Sequence, residues 1–164
     1  MEPIKALEHE LGELALKFLV AGLAVTPLRR FTAISLLKFR RAIGLIAFYY
    51  VSCHLLVWLV LDVQLPSQIW ADIVKRPYIT VGMAAFVLLI PLAATSNTLS
   101  LRRMGPVAWR RLHKLVYPAV ILGAVHYLML VKGFQIEPLI YLVLILGLLL
   151  ARLPRPTRRR VESA

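Results

Sequence analysis

Acidic side chains and cysteines are scarce in this chain. Of its 164 residues only 8 are Asp or Glu, against 20 Lys or Arg, and there is one cysteine, Cys53. A single thiol closes no intramolecular disulfide and builds no cysteine metal cage, so it reads as a small buried side chain. Glycine-rich phosphate loops, a His-Glu-x-x-His helix and a serine-protease-like triad are missing, as is a soluble nucleotide-binding domain. No basic, then apolar, then small-residue leader opens the chain. Its N-terminus carries Glu2, Glu8, Glu10 and Glu13, so the first apolar segment is expected to insert as it stands.

Apolar residues dominate what remains, at 60% of the chain and a mean hydropathy of +0.76. A soluble domain of this size has too little interior for them, so lipid must solvate part of the surface. Five apolar windows read as membrane-spanning helices of one all-α bundle: about Leu11–Leu28, Ala42–Leu61, Tyr78–Thr95, His113–Val131 and Pro138–Leu150. The first is interrupted by Glu13 and Lys17, and the last is the shortest against the ~20 residues that cross a ~30 Å hydrocarbon core. Short connections favour antiparallel neighbours. Residues 1–152 form the membrane domain and 153–164 a basic tail.

The net charge of +12 comes in blocks between the apolar runs, the pattern of membrane topology and not of a nucleic-acid surface. Arg29, Arg30, Lys38, Arg40 and Arg41 form one acid-free block, and Arg102, Arg103, Arg110, Arg111 and Lys114 another. The tail from Arg152 has five arginines and one glutamate, whereas Asp72, Lys75, Arg76, Lys132 and Glu137 nearly cancel in the other two loops. By the positive-inside rule the basic blocks and the C-terminus are cytoplasmic and the N-terminus is outside. All five spans obey that alternation.

Ionisable groups inside such spans mark function by default. His54, His113 and His126 lie in or at the mouth of apolar segments that run the same way through the bilayer. His54 comes twelve residues after Ala42, and His126 thirteen after His113. At a helical rise each sits ~18–20 Å from the cytoplasmic end, so the two share a level near the outer face. Two imidazoles at one depth on two helices suit the opposite faces of a haem iron. Ala47, Ala119 and Gly123, below the two histidines, leave room for a porphyrin or equally pack helices together. His113 lies at the cytoplasmic mouth beside Arg110, Arg111 and Lys114, and Pro118 should locally unwind the helix between it and His126. Spacing alone leaves a second site at His113 open. His9, flanked by Glu8 and Glu10, reads as solvated. No Cys-x-x-Cys-His is present, so any haem is held without a covalent link.

Several stretches resemble a known family. They include Thr26-Pro27-Leu28, Arg40-Arg41 with Gly44-Leu45, Cys53-His54-Leu55, and Arg76-Pro77-Tyr78-Ile79-Thr80. Leu92-Ala93-Ala94-Thr95-Ser96, Trp109-Arg110-Arg111-Leu112-His113-Lys114-Leu115-Val116-Tyr117 and Val125-His126-Tyr127-Leu128 continue the likeness in order. The sequence resembles the MsrQ family, haem-binding membrane subunits of bacterial periplasmic methionine-sulfoxide reductase systems, from about residue 2 to 152. The resemblance implies a ferric-reductase-like fold in the inner membrane, one or two b-type haems, and His54, His113 and His126 as iron ligands. It also implies electron transfer from the quinone pool to a separate periplasmic molybdopterin subunit that repairs oxidised methionine. FMN is associated with the family, although no residue here identifies its site. Members commonly carry a further N-terminal span, so five spans are expected here in place of six. Related two-haem oxidases have another inner histidine where Arg40 and Arg41 stand, which leaves His113 without a histidine partner at its level.

Two other readings stand beside this one. A metalloreductase of the ferric-reductase type needs a cytoplasmic nucleotide-binding domain or a separate reductase. A non-redox scaffold would use the histidines for helix contacts alone, and an absorption spectrum separates it from both redox readings.

Overall fold

The computed structural model describes residues 2–131 and 135–153, and every regular element in them is helical. The elements are α1 (Pro3–Thr32), α2 (Arg40–Val57), α3 (Pro66–Lys75), α4 (Pro77–Ala94), α5 (Thr98–Leu112), α6 (Val116–Leu130) and α7 (Ile136–Leu150). A 3₁₀ turn at Leu37–Phe39 leads into α2, and π-helical turns at Trp58–Val63 extend it. Four continuous stretches are long and apolar enough to cross a membrane: Pro3–Thr32, Leu37–Val63, Pro77–Ala94 and Thr98–Leu130. Ile136–Leu150 is apolar but shorter; fifteen residues rise only about 22 Å. Lys132 and the tail from 154 onward lie outside the described residues.

Two segments expected as loops are helices. α3 fills the connection before α4, and α5 fills most of the arginine-rich stretch before His113. Asn97 caps α5 by accepting from the Ser100 amide at 2.7 Å, the role its side chain suits. Gly105, at φ 75°, breaks α5 just before Pro106. In place of the unwinding expected from Pro118, the helix is overwound into a 3₁₀ turn at His113–Leu115, just ahead of it. A proline at 118 has no N–H for the carbonyl of residue 114, so the helix tightens one turn early.

The bundle is built from two helix pairs. α1 packs most extensively on α2 and α4 on α6, with α7 against α6 and α1. Leu16, Leu19, Val20 and Leu23 form one stripe of α1 at helical spacing, and all four are buried. They meet Ala47, Leu89, Leu92, Ala119, Val120, Ala124 and Ile145. The alanines let helix backbones approach, which matters where lipid offers apolar side chains no reason to prefer protein. Leu45, Tyr49, Leu56 and Val60 of the second stretch face outward, as do Val143 and Leu144 of α7. No polar or charged residue is fully buried among the described residues.

Reciprocal arginines tie the C-terminal ends of α1 and α7 together. Pro27 lies inside α1 and offers no N–H to the carbonyl of Leu23, four residues earlier. Arg152 fills that vacancy: its Nε and Nη2 donate to the Leu23 carbonyl at 3.1 and 2.6 Å, and Nη2 also reaches Gly22 at 3.2 Å. In return Arg30 of α1 donates to the carbonyls of Ala151 and Leu153, which follow α7, at 3.1 and 3.2 Å. A proline defect and a helix end thus satisfy one another's orphan acceptors.

Candidate cofactor site

His54 and His126 come together. Their ring centres are 6.2 Å apart and the rings are nearly perpendicular, at 78°. Each ring is anchored across its own helix pair. His54 on α2 places Nδ1 2.8 Å from the carbonyl oxygen of Glu8 on α1. His126 on α6 places Nδ1 2.7 Å from the carbonyl oxygen of Tyr78 on α4. A carbonyl only accepts, so both Nδ1 atoms carry the proton and both Nε2 atoms keep their lone pairs. That is the tautomer a metal ligand needs, held by the partner that metal-bound imidazoles commonly have.

Between the pairs lies a cavity of about 500 Å³ lined by both histidines. Its apolar wall includes Ala15, Leu16, Ala85, Leu89, Ala119 and Gly123. Ala119 and Gly123 therefore stand where small side chains were expected, whereas Ala47 is packed in the core and is not part of the lining. Charged groups gather at the mouth: Lys5, Glu8, His9, Asp62 and Arg76. His9 is exposed there, as expected of a solvated residue. Arg76 pairs with Asp72 at 3.3 Å, and its pKa is raised, first by the Tyr78 hydroxyl. Trp58, Val63 and Ile79 form a second apolar cluster.

These residues fit a haem. A metal–imidazole bond of about 2 Å on each side, with roughly 1.2 Å from each nitrogen to its ring centre, spans about 6.4 Å. The observed 6.2 Å is close to that span, so His54 and His126 would hold one iron between them. The cavity volume falls within the range of cofactor sites, and its lining is mostly apolar.

His113 stands elsewhere. It lines a separate cavity of about 240 Å³ at the arginine-rich end, with Arg40, Arg41, Trp109 and Arg152. No carboxylate is among the described residues lining it. Trp109 stacks on the His113 ring at 3.7 Å between centres and 23° between planes. The Thr95 hydroxyl donates to the Pro91 carbonyl at 2.6 Å, so at 3.1 Å it accepts from His113 Nε2. His113 thus carries its proton on Nε2, the opposite tautomer from the other two histidines. No group of three or more His, Cys, Asp or Glu suited to a metal ion occurs among the described residues.

Sequence reasoning passed over Gly12 and Gly82. A Cβ on Gly12 would lie 3.1 Å from His54 Nδ1, and one on Gly82 only 2.7 Å from His126 Nδ1. No motif marks either glycine; only the folded contact shows what they do.

An all-helical membrane bundle with paired, pre-oriented imidazoles has the features of a transmembrane redox component. The family described as ferric reductase like transmembrane component matches residues 11–124. The Brucella ovis protein named protein-methionine-sulfoxide reductase heme-binding subunit MsrQ is 52% identical, over 99% of this chain and 74% of its own length. Proteins of the same name from Brucella canis and Brucella suis match to the same extent. The chain belongs to the ferric reductase-like transmembrane family and, within it, to the MsrQ family.

Proposed function

We propose that this chain is the membrane electron-transfer subunit of a protein-methionine-sulfoxide reductase, with His54 and His126 as the two axial ligands of one b-type haem. The carrying observation is the pair of imidazoles 6.2 Å apart, each locked by a carbonyl with Nε2 free. A haem held there by His54 and His126 would supply one-electron redox chemistry. The protein's part is to fix both rings and to keep water away with Leu16, Leu89 and Ala119. Burial and ligand basicity are its means of setting the potential.

Charge supports the orientation of the finer assignment, and the family resemblance in the sequence supports its donor and partner. The arginine-rich end faces the cytoplasm and the histidine pair the periplasm of the bacterial inner membrane, with five spans in residues 1–152 and a basic tail beyond. Electrons enter from the quinone pool and leave toward a periplasmic molybdopterin-containing reductase. His113, Arg40 and Arg152 line the inner cavity, whose basic wall suits an anionic cofactor such as FMN or the propionates of a second haem. The family match also accommodates a metalloreductase, and reduction of ferric chelates without a partner protein would favour that reading.

The test is a reduced-minus-oxidised spectrum of the purified protein reconstituted with haemin. A low-spin, extractable b-type signal is expected. His54→Ala and His126→Ala should each abolish it, and the double variant should match either single one, the non-additivity of a shared iron. A colourless preparation, or two haems lost independently, overturns the assignment.

A further inference from the structure

The two histidines are oriented by one device used twice. In α1 the acceptor is the carbonyl of Glu8 and the glycine is Gly12; in α4 they are Tyr78 and Gly82. Each glycine is four residues after its acceptor. A carbonyl at position i already accepts from the amide at i+4, and its second lone pair points outward beside that bond. Helical Cβ atoms lean toward the N-terminus, so a side chain at i+4 covers just that lone pair. A glycine at i+4 leaves it open to a ring from the neighbouring helix. The separation from acceptor to histidine is 46 residues in one pair and 48 in the other, so the α1–α2 and α4–α6 hairpins repeat the same arrangement.

We infer that Gly12 and Gly82 are positioning residues: each exposes the helix carbonyl four residues earlier, which takes an imidazole N–H and turns Nε2 into the cavity. The effect on haem rests on the haem reading above; the effect on the ring tautomer does not. Neither glycine is needed for backbone freedom, because the positive-φ glycine among the described residues is Gly105. What each supplies is space, and the two differ in degree. At Gly82 an added methyl would lie 2.7, 2.9 and 3.2 Å from three atoms of the His126 ring, too close for the ring to stay. At Gly12 the nearest ring atoms would be 3.1 and 3.2 Å away, and His54 need shift only slightly.

The experiment compares wild type, Gly82→Ala, Gly12→Ala and Gly147→Ala, the last a helical position where a Cβ would meet nothing within 4 Å. Two readouts are taken on the full chain in detergent: ring ¹⁵N shifts of labelled histidine without haem, and haemin affinity with the ferric electron paramagnetic resonance (EPR) spectrum. In the haem-free wild type, His54 and His126 should both be protonated on Nδ1. Gly82→Ala should lose that signature at His126, bind haemin about 10- to 100-fold more weakly, and shift the low-spin EPR signal. Gly12→Ala should show a smaller change and Gly147→Ala none. Nε2-protonated rings in the wild type, or Gly82→Ala with unaltered affinity and EPR, would overturn the inference. If the wild type bound no haemin, the haem reading would fall while the nitrogen shifts still decided the glycine role. If Gly82→Ala failed to fold, the wild-type tautomers would carry the decision.

Discussion

Arg152→Ala tests whether the proline defect in α1 is what the C-terminal arginine repairs. The guanidinium makes three contacts to the Leu23 and Gly22 carbonyls and one to the Tyr117 hydroxyl at 3.2 Å. It also lies 5.6 Å from the Tyr117 ring centre. Leu23 is 1% exposed, so removing the donor leaves a buried acceptor without a partner, at a cost of about 1–3 kcal/mol. Loss of the contact with the ring adds roughly 0.5–1 kcal/mol. A total of about 1.5–4 kcal/mol corresponds to a fall of roughly 3–16 °C in Tm for a chain of this size. Pro27→Ala supplies the missing N–H at position 27, so the Leu23 carbonyl gains a helical partner. Arg152→Ala should then cost less in the Pro27→Ala background, with a coupling of about 1–2 kcal/mol. Thermal unfolding of the four proteins in one detergent, followed by far-ultraviolet circular dichroism, measures the cycle. Equal losses in both backgrounds, within about 0.5 kcal/mol, would refute the orphan-carbonyl explanation.

Further outcomes follow from the two cavities. His113→Ala should retain the spectrum of the outer haem, because His113 lines a different cavity, while slowing quinol-driven reduction; spectroscopy and stopped-flow reduction separate the two effects. Thr95→Val removes the acceptor for His113 Nε2 and should cost about 1 kcal/mol in unfolding free energy, leaving haem content unchanged. Gly123→Leu should lower haem content sharply while preserving helicity, since an added Cβ there touches only Leu16, at 4.0 Å, and the longer side chain extends into the cavity. Normal haem loading in that variant would place the porphyrin elsewhere.

Much of the architecture was legible because the bilayer writes it into composition. Apolar runs marked α1, α2, α4, α6 and α7, and the equal depths of His54 and His126 anticipated their approach. The helical form of α3 and α5 was not legible from hydropathy, because both mix charged with apolar residues and one holds Gly105-Pro106. The distinct setting of His113 was hidden as well. It depends on the 3₁₀ turn ahead of Pro118 and on Thr95, a residue on another helix. Arg152 read as one more topology-setting arginine, since its main acceptor is a carbonyl freed by a proline 125 positions earlier.

The groups that orient the histidines were silent for a deeper reason. Their acceptors are backbone carbonyls, which every residue owns, so Glu8 and Tyr78 serve identically although their side chains share nothing. What the sequence does constrain is the absence of a side chain four residues later, at Gly12 and Gly82. Glycine in a membrane helix is ordinarily read as a packing contact between helices. In this bundle the contact is with an imidazole, and it decides which nitrogen faces the cavity. A histidine at the right depth is therefore only half of a ligand site; the other half is a bare turn on the helix packed against it. His113 has no such turn in its contacts: its partners are a threonine hydroxyl and an indole, and its proton sits on the opposite nitrogen. That contrast separates a pair of rings whose Nε2 is open to the cavity from a ring whose Nε2 proton is engaged by Thr95.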